Sequence, residues 1–174
     1  MKKYIFFLLL AFGFMINPFE TKAQHQNTGN WEMGHNINDT PYYAITLAGF
    51  SIDLDNSNNN RNCHLLIKVD YVDGFTLVVL DRKGNMLPLG IASVTISRAG
   101  ENDFINIDQM VGEYGYIIKN TNSFTKLSNA LCNGNCTIFV APKYGTVSYG
   151  FKIMNETRGF ENAVINLMEY YNRI

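Results

Sequence analysis

Three thiols and three imidazoles are the side chains best suited to nucleophilic or metal chemistry in this sequence: Cys63, Cys132 and Cys136, with His25, His35 and His64. Zinc takes nitrogen and sulfur ligands in a tetrahedron, and Cys63, His64, Cys132 and Cys136 supply the right types. Their spacing argues against such a site. Cys63 and His64 are adjacent, and neighbouring side chains on a strand point to opposite faces. The same alternation keeps Cys63 and His64 from forming a thiol–imidazole dyad. No Gly-x-Ser-x-Gly turn is present to expose a serine nucleophile. Paired carboxylates of the kind used in glycoside hydrolysis remain the enzymatic alternative. Against it, Asp73, Asp81, Glu101 and Asp103 stand beside turn residues, where acids cap and solvate.

Asp53-x-Asp55-x-Ser57-x-Asn59 sets oxygen side chains at alternate positions, as the front half of a calcium loop does. Asn58 stands where such a loop needs glycine, and His64 where it needs a bidentate glutamate. A plain solvated loop is therefore the expectation, with calcium the weaker candidate, and no cofactor is expected. Aromatic residues, at 13% of the chain, are its one compositional excess. Tyr114 and Tyr116 fall on one strand face, as do Tyr149 and Phe151. If exposed, such pairs stack on sugar rings or anchor a partner protein; if buried, they are core, the commoner state. These four are the candidate binding residues.

The N-terminus carries the marks of export. Met1-Lys2-Lys3 is followed by an uncharged apolar run from Tyr4 to Ile16, then by a polar stretch ending in Thr21-x-Ala23. This is the pattern of a signal peptide over residues 1–23, cleaved after Ala23. The apolar run is too short to span a bilayer core, which takes about 20 helical residues. The net charge is −1 for the whole chain and −3 for residues 24–174, because Lys2, Lys3, Lys22 and Glu20 leave together. Such a chain has no footprint for nucleic acid or anionic lipid, and no membrane insertion is expected after cleavage. A periplasmic or extracellular setting favours cysteine pairing. Asn133-Gly134-Asn135 can reverse the chain and bring Cys132 and Cys136 together, so a Cys132–Cys136 disulfide is expected, with Cys63 a buried free thiol.

Residues 24–40 are polar, with Trp31 the only large apolar anchor, and are read as a loose arm ahead of a single β-rich domain over 41–174. Strands are expected over 42–54, 64–72, 75–80, 86–97, 104–107, 114–118, 136–141 and 146–154, from their β-branched and aromatic runs. Asp73-Gly74 between two such runs predicts a tight type I′ hairpin. Phe124, Leu127 and Leu131 behind Asn122-Ser123 predict a short helix near 123–132. Phe160, Val164, Leu167, Met168 and Tyr171 recur at amphipathic spacing and predict a C-terminal helix.

The fold class is α+β, mainly β: an antiparallel sandwich or a curled sheet, with the last helix packed on it or across an open end. The strand–strand–helix tail with Gly159-Phe160-x-x-Ala163 resembles small exported β-sandwich proteins of the invasion-associated locus B type. That resemblance spans about the last 40 residues and implies no residue role. The expected function is that of an exported, non-catalytic interaction protein recognising a protein or cell-envelope component, an inhibitor or immunity-type protein being one form. The alternative is a small secreted hydrolase using carboxylates.

Overall fold

The computed structural model describes residues 28–53, 62–154 and 159–172. The expected signal peptide and three of the calcium candidates, Asp55, Ser57 and Asn59, lie outside the described residues. The remaining chain forms β1 (Glu32–His35), β2 (Pro41–Asp53), β3 (Asn62–Asp70), β4 (Gly74–Leu80), β5 (Ala92–Arg98), β6 (Glu101–Ile105), β7 (Gln109–Val111), β8 (Gly115–Ile118), α1 (Thr121–Asn133), β9 (Cys136–Pro142), β10 (Val147–Ile153) and α2 (Phe160–Asn172). All strands join one antiparallel ten-stranded sheet in the order β6-β5-β9-β10-β2-β3-β4-β8-β7, with β1 paired to β2. The expected α+β, mainly β class holds, in its curled-sheet form.

Side-chain alternation gives the sheet an apolar concave face. β2 turns Tyr43, Ile45 and Leu47 inward, β3 Leu65, Ile67 and Val69, β4 Phe75, Leu77 and Val79, and β9 Ile138 and Val140; all are buried. The sheet must also curl. β6 and β7 lie at its two edges, yet only residues 106–108 separate them. Four backbone steps reach at most about 14 Å, so the edges curve towards each other into a half-barrel. Asn106 N donates to Ser123 Oγ at 2.8 Å and Asp108 N to Ile117 O at 2.9 Å, tying this bridge to α1 and β8.

Both helices bury their apolar stripes in the concave face: Phe124, Leu127 and Leu131 from α1, and Phe160, Val164 and Leu167 from α2. Phe75 lies 4.6 Å from Phe124 and 5.7 Å from Phe160, centroid to centroid. Phe160 in turn lies 5.0 Å from Trp31. The Asn120 side chain caps α1 by accepting from Ser123 N at 3.2 Å, and Gly134 N closes it by donating to Ala130 O at 2.9 Å. Asn122-Ser123, which precede the helical spacing in sequence, do not cap α1, and the Ser123 hydroxyl holds the 106–108 bridge instead.

Several local expectations change. Part of the polar arm is structured: β1 pairs with β2, and Trp31 is buried. The hairpin at Asp73-Gly74 is not a two-residue turn. Asp70 pairs with Gly74 around three residues, Gly74 alone has positive φ (70°), and the Asp70 carboxylate accepts from Val72 N at 2.9 Å. The expected strand over 86–97 begins only at Ala92. Residues 86–91 instead cross from β4 towards β9, with Leu89 N bonded to Glu113 O and Lys143 N to Ile91 O. The edge strand β6 is guarded by Lys126, whose ammonium donates to Phe104 O at 3.4 Å.

The type I′ geometry occurs at Ala99-Gly100, between paired Arg98 and Glu101, with φ of 45° and 91°. Alanine in the left-handed region is unfavourable, whereas asparagine tolerates it. Ala99→Asn is expected to raise the unfolding free energy by about 0.5–1 kcal/mol, and Ala99→Val to lower it. Urea denaturation followed by circular dichroism checks both.

Candidate functional site

The helices fill the end of the half-barrel where β4 begins, and the inner face changes character towards the end where β4 finishes. Leu47, Leu65, Val79 and Phe151 are fully buried and form a floor. Ser51, Asp53, Cys63, Val147 and Tyr149 occupy the next inward positions and wall a cavity of about 740 Å³. Asn62 and residues of the turn after β4 (Asp81, Arg82, Lys83 and Asn85) with Leu87 complete the lining. Such a volume suits a small-molecule ligand, whose pockets run to roughly 300–1,000 Å³.

Strand register explains how the cup is built. Gly49 pairs with both Cys63 and Phe151, and a Cβ on Gly49 would stand 2.2 Å from the Phe151 ring. Only glycine lets that ring lie against β2 as part of the floor. Ser51 pairs with Tyr149 and Asp53 with Val147, which sets these side chains on one wall. The Asp53 carboxylate accepts from Thr146 Oγ1 at 3.3 Å.

The turn after β4 is held by Asp81. Its Oδ1 accepts from Lys83 N and Asn85 N, both at 2.8 Å, and its Oδ2 accepts from Asn85 Nδ2 at 2.9 Å. Hydrogen bonds from the Asn85 side chain and backbone, in that order, lead the donors that hold the Asp81 carboxyl below its ordinary value, so it stays charged at neutral pH. Arg82 and Lys83 are exposed on this turn. The Lys83 ammonium adds a smaller attraction to the Asp81 carboxylate, so acid and cation face each other on this turn.

The sequence candidates divide sharply. Tyr149 is half-buried on the cavity wall, and Phe151 belongs to the floor. Tyr114 and Tyr116 do not share a face. Tyr114 is exposed in the turn before β8, whereas Tyr116 is 1% exposed and donates to Gly90 O at 2.9 Å. Burial pushes the Tyr116 phenol up to about 12, and the nearby Tyr149 adds to the shift. Asp53 reaches the cavity, while the described residues contain no group of three or more His, Cys, Asp or Glu placed to hold a metal. His64 sits at an outward position of β3, away from Cys63. The sequence marks Asp81 only as an acid beside turn residues and gives Arg82, Lys83 and Asn85 no role. A signal for the cavity is the parity of Ser51 and Asp53, polar positions continuing the inward series of Tyr43, Ile45 and Leu47.

The expected Cys132–Cys136 disulfide is corrected: all three cysteines are free thiols. The reversal forms as expected, with φ of 64° at Gly134 and 53° at Asn135. However, α1 runs through Asn133, and Leu131 occupies its buried stripe, so a further roughly 100° of helical rotation turns Cys132 outward. Cys136 faces inward, with its thiol 4.0 Å from Ala130 O. Desolvation first, then the Glu161 carboxylate, raises the Cys132 thiol. Cys63 is 2% exposed, and burial pushes its thiol from the ordinary 9.0 up to about 11.

That shift has a stability consequence. The folded state keeps the Cys63 proton more tightly than the unfolded chain, so this contribution is complete below pH 9 and is lost as pH rises to about 11. Urea denaturation across this range should give an unfolding free energy that falls with pH, and less steeply in Cys63→Ala. The slope that remains in the variant comes from the other raised thiols and from Tyr116 and Tyr171.

Comparison with protein-family models, curated proteins and solved structures returned no match to this chain.

Proposed function

We propose that the chain is an exported, non-catalytic binding protein, and that its recognition site is the cup at the end of the half-barrel where β4 finishes. One observation carries this reading: a layer of polar inward positions faces a cavity of ligand size above a fully apolar floor. An inward strand series that turns from apolar to polar beside a cavity of this size suits a site for a ligand with both polar and apolar groups. The partner is a cell-envelope component or protein that inserts a small group into this cup. Export rests on the pattern of residues 1–23 alone.

The hydrolase alternative has one observation in its favour, since Asp53 and Asp81 both line the cavity. Glycoside hydrolysis by a carboxyl pair needs one of them protonated as general acid. Asp81 is the wrong group for that role, because the donors around it favour its charged form. Cys63, the cavity thiol, is held protonated by burial and is a poor nucleophile.

Native mass spectrometry of protein recovered from the envelope fraction tests the reading. Adducts of small-molecule mass are expected on the wild-type chain and should be lost in Val147→Trp, which fills the cavity while leaving the floor intact. Equal adducts on both proteins would remove the cup as the site. A ligand recovered chemically cleaved after incubation with the protein would favour the hydrolase.

A further inference from the structure

We propose that residues 86–91 form a strap that gates the cup, latched shut by the hydrogen bond from the Tyr116 hydroxyl to Gly90 O. This rests on the reading of the cup as a binding site and adds the route by which a ligand enters it.

The strap joins the two flanks of the half-barrel at the cavity end. It starts beside β4, where Met86 bridges to Leu80 and Leu87 N donates to Val79 O at 2.9 Å. It then crosses towards β5 and β9. Leu89 N and Gly90 N donate to Glu113 O at 2.9 and 3.2 Å, and Lys143 N donates to Ile91 O at 2.7 Å. Leu87 lines the cavity, whereas Met86, Pro88 and Ile91 are exposed. Ser51 and Cys63 line the same cavity yet are only 4% and 2% exposed. A ligand reaches them only when part of the wall moves.

Of the wall segments, the strap is held least. β2, β3 and β10 are locked by ladder pairing, and the turn of residues 81–85 by its bonds to Asp81. The strap lies outside the named strands, and Pro88 offers no backbone donor. Exposed segments with scattered backbone bonds open at low free-energy cost. Gly84 and Gly90 flank its length with φ of 84° and 57°, and a Cβ on either would meet nothing within 4 Å. Packing therefore leaves both positions free to turn, as hinges must be. Tyr116 is the fixed post. β8 sets it between Leu77 of β4 and Met110 of β7, and its hydroxyl holds Gly90 O, at one hinge, at 2.9 Å.

Thiol labelling by iodoacetamide, read by mass spectrometry of peptides, tests the gate without any ligand. A Cys132→Ser background leaves Cys63 and Cys136 as reporters. Cys63 lines the cavity, whereas Cys136 is buried beside α1 at the end of β9 remote from the strap. Strap opening exposes only the first, and global unfolding exposes both. Tyr116→Phe, which removes the latch, should speed Cys63 labelling on the order of tenfold, the effect of one net hydrogen bond on an opening equilibrium. Pro88→Gly, an exposed change that leaves the core untouched, should speed it roughly two- to fivefold by adding backbone freedom to the open strap. Cys136 labelling should be unchanged in both. Cys63 labelling that neither variant alters overturns the gate, as does equal acceleration of the two thiols. Acceleration of Cys63 by Pro88→Gly but not by Tyr116→Phe overturns the latch. The adduct comparison between wild type and Val147→Trp decides the cup independently of these results.

Discussion

The aromatic chain Phe124–Phe75–Phe160–Trp31 is the contact on which the architecture depends. Phe75 at the start of β4 touches α1 through Phe124 and α2 through Phe160, and Phe160 reaches Trp31 just before β1. Each ring buries enough surface to contribute about 1.5–3 kcal/mol, with a further 0.5–1.5 kcal/mol per favourable ring pair. The contact joins four segments that are remote in sequence. Without it, both helices would lose their common seat, and the concave face of the sheet would lose its cover at that end.

The cavity follows from the same arrangement. Two helices of 13 residues each fill one end of the concave face, and the strands continue past them. Where the inward series still meets packed side chains it stays apolar, down to Leu47, Leu65, Val79 and Phe151. Beyond that layer it becomes Ser51, Asp53, Cys63 and Tyr149, and the self-bonded turn at Asp81 closes the rim. One continuous strand pattern thus divides into a packed half and a cavity-facing half. The exposed cations fall in the second.

Elements whose signal lies in a short window were legible in the sequence. The strand runs of β2, β3 and β4, the spacing of α2 and the reversal at Asn133-Gly134-Asn135 carry their own periodicity or turn chemistry. What escaped depends on tertiary partners. β1 is the short polar segment Glu32–His35, which is a strand only because β2 offers it an edge. The tight turn settled at Ala99-Gly100 rather than Asp73-Gly74, because the Asp70 carboxylate stabilises a wider loop there. Cys132 failed to meet Cys136 because it follows Leu131 of the buried stripe and so points outward from α1. For the site, Tyr149 and Asp53 were marked for other reasons, while Arg82 and Lys83 were invisible as a pair facing a cavity. Nothing local says that the turn after β4 and the end of β2 line one cavity.

Amide chemical-shift mapping of the folded chain, titrated with a panel of small acids, alcohols and sugars, tests the central claim that the cup is where this protein meets its ligand. The account predicts that the largest shifts fall together on residues 51–53, 62–63, 81–87 and 147–149. Shifts centred on exposed Tyr114 and Tyr144, or on the outward-facing Phe50 and Phe139, with the cup unperturbed, would contradict it.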